Sequence, residues 1–170
     1  MSDLIEFEGM TPDLGDDVFI GEGARVIGDV TVGDEASIWY NCVVRGDVYP
    51  IEIGPRTNIQ DLTMIHVSDG EHAAIIGADV TVGHRAIIHG CTVEDESLIG
   101  MGAILLDGVH VEENALVGAG ALLTPGTRVP AGSVALGSPA KIVRDVSEEE
   151  KEMFRLRAQH YAELGRRHEE

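Results

Sequence analysis

Lysine is nearly missing from this sequence. Lys141 and Lys151 are the only two, and 12 Lys and Arg together stand against 30 Asp and Glu. The formal charge of −18 repels phosphate backbones and anionic bilayers, so neither nucleic acid nor membrane is an expected partner. It also repels itself unless concentrated salt screens it to within a few Å. Abundant acid with scant lysine therefore reads as a halophilic protein of a salt-rich cytoplasm. Cysteine is as scarce: Cys42 and Cys91 lie far apart, form no paired zinc or redox motif, and read as small buried hydrophobes. No apolar run reaches the ~20 residues of a membrane span. The opening MSDLIEFEGM lacks the basic and apolar regions of a signal peptide, so a soluble, cytoplasmic protein is expected.

What the 170 residues do contain is a six-residue rhythm. Aliphatic residues head hexads at Ile20, Val26, Val32, Ile38 and Val44, resume after an insertion at Ile53, Ile59 and Ile65, and resume again after SDGEHAA at Ile76, Val82 and Ile88. One residue is then dropped, and Val93, Ile99, Leu105, Val111, Val117, Leu123 and Val129 follow in step. Small residues recur at the fifth place, as at Ala24, Ala36, Thr57, Ala86 and Ala103. Each hexad reads as a short strand and a turn, with the aliphatic side chain inward and the small residue at a tight corner. Three hexads close a triangular coil, and coils stack at roughly 4.8 Å. The predicted fold is an all-β solenoid over residues 18–140, a left-handed parallel β-helix of about six or seven coils, against the usual right-handed crossover. A two-sheet sandwich would need period-two alternation and hairpin turns, and neither is present.

Residues 1–17 are expected to cap the first coil, and 141–170 to form a C-terminal segment with a helix packed on the prism. Ser147 followed by Glu148, Glu149 and Glu150 is a helix start. Met153, Leu156, His160, Tyr161 and Leu164 make the expected buried stripe, and Gly165 with two arginines the expected end.

His66 and His89 are each the second residue of a third-face hexad, one coil apart, so they stack, and Arg45 falls in the same column one coil below. His84 sits near the corner after the second face and points elsewhere. Two stacked histidines supply two metal ligands, and His84 reaches the same ion only if another subunit presents it, as in a trimer of side-by-side prisms. Three neutral imidazoles with an open position are the ligand set of catalytic zinc, and imidazole also suits Fe or Co. The remaining histidines, His72, His110, His160 and His168, read as surface or packing residues.

VVRGD at 43–47, NIQD at 58–61, MIH at 64–66, GHRAIIHGC at 83–91, IGMGA at 99–103 and LGSPAKIVR at 136–144 together resemble the gamma-class carbonic anhydrases, over about residues 10–165. The resemblance implies a homotrimer of left-handed β-helices with one metal at each interface, held by His66 and His89 of one subunit and His84 of its neighbour. It implies a carbon–oxygen lyase, reversibly hydrating CO2 to bicarbonate. Gln60 and Asn58 resemble the amides that orient the nucleophile and CO2, and Arg45, Asp47 and Asp61 resemble an interface ion-pair network. Asp47 and Asp61 could equally bond turn backbone, and Arg45 could serve trimer packing alone. The loop VSDGEHAA at 67–74 is shorter than the acidic shuttle loop of the family, which leaves Glu71, His72 or Tyr161 to carry the proton out.

Two other readings share the fold. A hexapeptide-repeat acyltransferase using acetyl-CoA would need one histidine as general base and often ends in a segment like GSPAK. A non-catalytic, metal-binding trimeric module would keep the ligands and lack turnover.

Overall fold

A computed structural model describes residues 4–169. The hexads form a left-handed parallel β-helix of about 7 turns followed by one helix. Every hexad head from Val26 to Val129 is buried, in three inward-pointing columns that fill the prism. On the second face, Phe19–Ile20, Ser37–Ile38, Asn58–Ile59, Thr81–Val82, Leu98–Ile99, Leu116–Val117 and Ser133–Gly137 pair in register, all parallel. The other two faces belong to one sheet, because Arg25–Val32 and Val43–Ile53 run unbroken around the corner between the third face and the first.

The corners explain the rhythm. Between faces one and two, Asp17, Glu35, Arg56, Asp79, Glu96, Asn114 and Gly132 all have positive φ; between faces two and three, so do Gly23, Asn41, Leu62, Arg85, Gly102 and Gly120. Most corners between faces two and three, and several of the others, are tight turns closed across four residues, as where Ala24 N–H donates to the Gly21 carbonyl at 3.0 Å and Ala86 N–H to that of Gly83 at 3.3 Å. A left-handed third residue is what a type II turn requires. The small fifth residue follows it into the interior, where Ala24, Ala36, Thr57, Ala86 and Ala103 are buried.

The expected N-terminal cap contributes strands of its own: Leu4–Ile5 pairs with Val26 and Ile27, and Asp13–Leu14 with Thr31 and Val32. At the other end Ala140–Asp145 folds back antiparallel on Ser133–Gly137, so a hairpin straddles the expected boundary at residue 140. Residues 1–3 and 170 of the two expected end segments lie outside the described residues.

The helix, Glu148–Glu169, starts with the expected capping box. Glu150 N–H donates to Ser147 Oγ at 3.2 Å, and Ser147 N–H to Glu150 Oε2 at 2.9 Å. It lies on the second face, along Phe19–Ile20, Ser37–Ile38, Asn58–Ile59 and Thr81–Val82. Its buried stripe differs from the expected one: Phe154, Ala158, Ala162 and Gly165 face the sheet, while Met153 and Leu156 are exposed. The reason is closeness. Phe154 packs with Leu98 and Val134, and further along the helix runs over Ala158, Ala162 and Gly165, where a Cβ at Gly165 would meet Phe19 Cβ at 3.0 Å. Gly165 is therefore a packing residue inside the helix, not its end.

Candidate metal centre

The third face ends in two corners, and the candidate residues divide between them. At its far end His66 and His89 are paired in register, with ring centroids 5.1 Å apart. His66 Nδ1 faces His89 Nε2 at 3.1 Å. Each ring is held from behind by a carboxylate: Asp47 Oδ1 lies 3.0 Å from His66 Nε2, and Asp107 Oδ1 lies 2.6 Å from His89 Nδ1. Arg45, one coil below, binds the other oxygen of Asp47 rather than either ring. Ser68 Oγ donates to the other oxygen of Asp107 at 2.7 Å.

These partners decide where the protons are. An ionised carboxylate only accepts, so the rear nitrogens carry the N–H groups, and with both rings neutral the facing nitrogens present lone pairs. Partial burial pushes the Asp47 and Asp107 carboxyls up, but hydrogen bonds outweigh it. His66 and Arg45 hold Asp47, and Ser68 and His89 hold Asp107, below the usual carboxylate range. Two lone pairs at 3.1 Å repel unless a cation stands between them. Two imidazole nitrogens on a tetrahedral zinc are about 3.3 Å apart, so the separation of the pair suits a divalent metal.

At the near end of the face, just before the left-handed corner residue Arg85, His84 has the same arrangement: its Nδ1 lies 2.8 Å from Asp61 Oδ2. Within one chain Asp61 is thus separate from the Arg45–Asp47 pair. Gln60 is in the neighbouring column. It is 4% exposed and donates from Nε2 to Asn58 Oδ1 at 3.1 Å. Asn58 is wholly buried and donates to Thr81 Oγ1 at 2.9 Å, so it orients Gln60 and cannot itself touch a ligand. Gln60 lines a cavity of about 230 Å³ with Gly83, Gly100, Met101, Leu116 and Arg157. Tyr161 stands on this side too, edge-on to Trp39 at 5.3 Å. Burial, then the charge of Asp61, pushes its phenol up.

Among the described residues no three His, Cys, Asp or Glu side chains of one chain converge on a metal position. His110 also has a carboxylate, Glu94 Oε1 at 2.5 Å, with no second imidazole facing it. Burial pushes both cysteine thiols up to about 12, which keeps them neutral within the core. Of the proton-exit candidates, Glu71 is exposed on the Ser68–His72 turn, whereas His72 lies over Gly90 and close enough to Asp107 to influence its charge. Asp107 and Ser68 were not evident as site residues from the sequence. The signal that marks them is the residue dropped after Ile88.

The fold defines a hexapeptide-repeat protein, and on that the comparisons agree. The family described as bacterial transferase hexapeptide (six repeats) matches residues 11–46, and that described as hexapeptide repeat of succinyl-transferase matches 73–107 and 92–125. A carbonic anhydrase of Geobacillus kaustophilus is 47% identical over 163 residues, which cover 95% of this chain and 88% of that protein. Gamma carbonic anhydrase 2, mitochondrial, of Arabidopsis thaliana is 48% identical over 163 residues, covering 93% of this chain and 59% of the plant protein. The chain thus spans about three-fifths of the plant relatives' length. A solved structure of a hexapeptide transferase family protein from Anaplasma phagocytophilum superposes with a TM-score of 0.92 at 42% identity, covering 96% of each chain. The chain belongs to the gamma carbonic anhydrase family.

Proposed function

We propose that the protein catalyses the reversible hydration of CO2 to bicarbonate, at metal centres shared between subunits of a homotrimer. The observation that carries this reading is the facing pair His66–His89, each ring backed by a carboxylate, with a third backed imidazole, His84, at the opposite edge of the same face. Rotating three copies about a threefold axis brings one edge against the other, so each interface holds three imidazoles. The apolar side chains around the two edges support that contact: Leu62 is 58% exposed and Met101 59%, and Met64 and Ile87 also face outward. Leu62 holds a left-handed corner, φ 64°, where a leucine is strained.

The ligands would be His66 and His89 of one subunit and the neighbour's His84, with zinc, iron or cobalt all suited to imidazole. Such a metal lowers the pKa of water to about 7, supplying a nucleophile near neutral pH. The chain's own groups do the rest. Asp47, Asp107 and Asp61 keep the ring tautomers that leave a lone pair free for the ion. Asn58 fixes the amide of Gln60, whose remaining polar atoms orient the nucleophile and CO2. Arg45 holds Asp47. Protons leave by His72, Glu71 or Tyr161. The charge of −18 suits a cytoplasm rich in salt.

The Anaplasma protein is described as a hexapeptide transferase family protein, which favours a second reading, acyl transfer from acetyl-CoA. That chemistry asks for a single histidine as general base and gives no task to two imidazoles facing one another. The N-acyltransferase AntD of Bacillus cereus, at 15% identity and a TM-score of 0.70, shares the fold alone.

The test is CO2 hydration by stopped flow, on zinc-loaded protein in concentrated KCl, beside His84→Ala. Turnover that falls to the buffer rate in the variant supports the shared centre. A zinc-loaded trimer with no turnover would leave a non-catalytic metal-binding module, and a protein that takes up no metal but binds acetyl-CoA would be an acyltransferase.

A further inference from the structure

The structure assigns Asp107, clamped by Ser68 and admitted by Gly90, as the positioning residue of the His89 ligand. The inference rests on the metal-centre reading above, and three independent features of the chain converge on it.

The first is the reach of Asp107. It belongs to the coil above His89, 18 residues on, and still places Oδ1 2.6 Å from His89 Nδ1. The second is the room made for it. From Ile88 to Val93 the chain takes five residues where six are usual, and the shortened corner is Gly90, at φ 53°. A Cβ there would lie 2.5 Å from Asp107 Oδ1 and 2.8 Å from His72 Cβ. A side chain at position 90 would push the carboxylate off the ring. The third is the clamp. The longer connection between Ile65 and Ile76 carries the Ser68–His72 turn, and Ser68 Oγ donates to Asp107 Oδ2 at 2.7 Å. One carboxylate oxygen is thereby held by the hydroxyl while the other holds His89, and the carboxylate cannot rotate away from the ring.

The consequence for the ligand is direct. With its Nδ1–H given to Asp107, His89 presents the Nε2 lone pair toward His66. Without Asp107, the ring is free to take the other tautomer or turn about its χ2, and a ligand becomes a surface histidine.

The experiment measures zinc affinity by competition with a chromophoric chelator, and the visible absorption of the cobalt(II) form, for wild type, Asp107→Ala, Asp107→Asn, Asp107→Glu, Ser68→Ala and Gly90→Ala. The expected result is a roughly 10–100-fold loss of zinc affinity in Asp107→Ala, smaller losses in Asp107→Asn and Ser68→Ala, and partial recovery in Asp107→Glu. The cobalt absorption changes in position and intensity, and the metal-free melting temperature of Asp107→Asn stays near that of wild type. Gly90→Ala behaves like Asp107→Ala. Asp107→Asn keeps the shape of the side chain, so the assignment is tested even if the alanine variant does not fold. Wild-type affinity and an unchanged cobalt spectrum in Asp107→Asn and Ser68→Ala would overturn the assignment and leave the metal centre standing. A wild-type protein that binds neither zinc nor cobalt would overturn both.

Discussion

Two corners of this prism keep the six-residue step from Leu14 to Leu123, and the third does not. Between the third face and the first, the chain takes nine residues from Val44 to Ile53, eleven from Ile65 to Ile76 and five from Ile88 to Val93. The regular corners are built alike in every coil, around one left-handed residue. The irregular one carries Asp47 in its first departure, Ser68 and His72 in its second and Gly90 in its third, and Asp107 one coil above. Each departure puts a group beside His66 or His89. A solenoid is stabilised by repetition, because every coil buries the same face against the next. Chemistry needs positions that differ from their neighbours. In this chain the groups that back His66 and His89 gather at the irregular corner, while His84 and Asp61 stand at a regular one.

The sharpest way to break that comparison is to separate its two edges onto different chains. His84→Ala removes the ligand at the regular corner, and His89→Ala one at the irregular corner. Each variant alone is expected to fall to the buffer rate of CO2 hydration. Denatured together in equal amounts and refolded, they form mixed trimers in which about a quarter of the interfaces pair an intact His66–His89 edge with an intact His84 edge. About a quarter of the wild-type rate should return, read by stopped flow. A mixture as inactive as its components would mean that the two edges never meet across an interface.

A smaller effect, on stability rather than turnover, sharpens the other side. Leu123 is fully buried among the stacked hexad heads, two coils from Ile88. Leu123→Ala should destabilise the fold by about 2–5 kcal/mol, measured by denaturant unfolding. The zinc affinity of the folded fraction should stay within about twofold of wild type. A loss of affinity as large as that of a ligand variant would show that packing and site are not separable.

Much of this was legible in the residues, and what was not has physical causes. The hexad heads gave the coils because burial at a fixed period leaves few alternatives. The stacking of His66 on His89 followed from counting faces. The left-handed corner residues were hidden because Asp17, Glu35, Arg56, Asp79 and Glu96 occupy them in place of glycine, and only the repeat of the turn keeps them there. The helix starts at Ser147 and its glutamates but turns another face inward. Met153 and Leu156 look like its apolar face, yet Phe154, Ala158, Ala162 and Gly165 face the sheet, and a side chain at Gly165 would meet Phe19. Asn58 looked like a ligand-facing amide and is wholly buried. Asp107 was invisible as a partner of His89 because the 18 residues between them hide a one-residue contraction.

The smallest effect concerns the regular corner between faces one and two, where the helix is pinned. Arg155 reaches Glu96 at 3.0 Å and Arg166 reaches Glu35 at 2.8 Å, both corner residues. The start of the helix is held by Glu150, which accepts from Arg144 through both oxygens at 2.7 Å and from Ser147 N–H. Those bonds, Arg144 first and Ser147 next, bring its carboxyl from the reference 4.5 to about 2. A carboxyl with a lowered pKa contributes stability fully above its unfolded value and loses it as pH falls toward the folded one. The contribution is therefore constant above about pH 4.5 and disappears between 4.5 and 2. Glu150→Gln should melt slightly lower than wild type at neutral pH, and the difference should close as the buffer is taken from pH 4.5 toward 2. Zinc affinity at neutral pH should be the same for both proteins, because Glu150 is remote from the irregular corner. A gap in melting temperature that persists at pH 2 would show that the glutamate acts through its shape and not its charge.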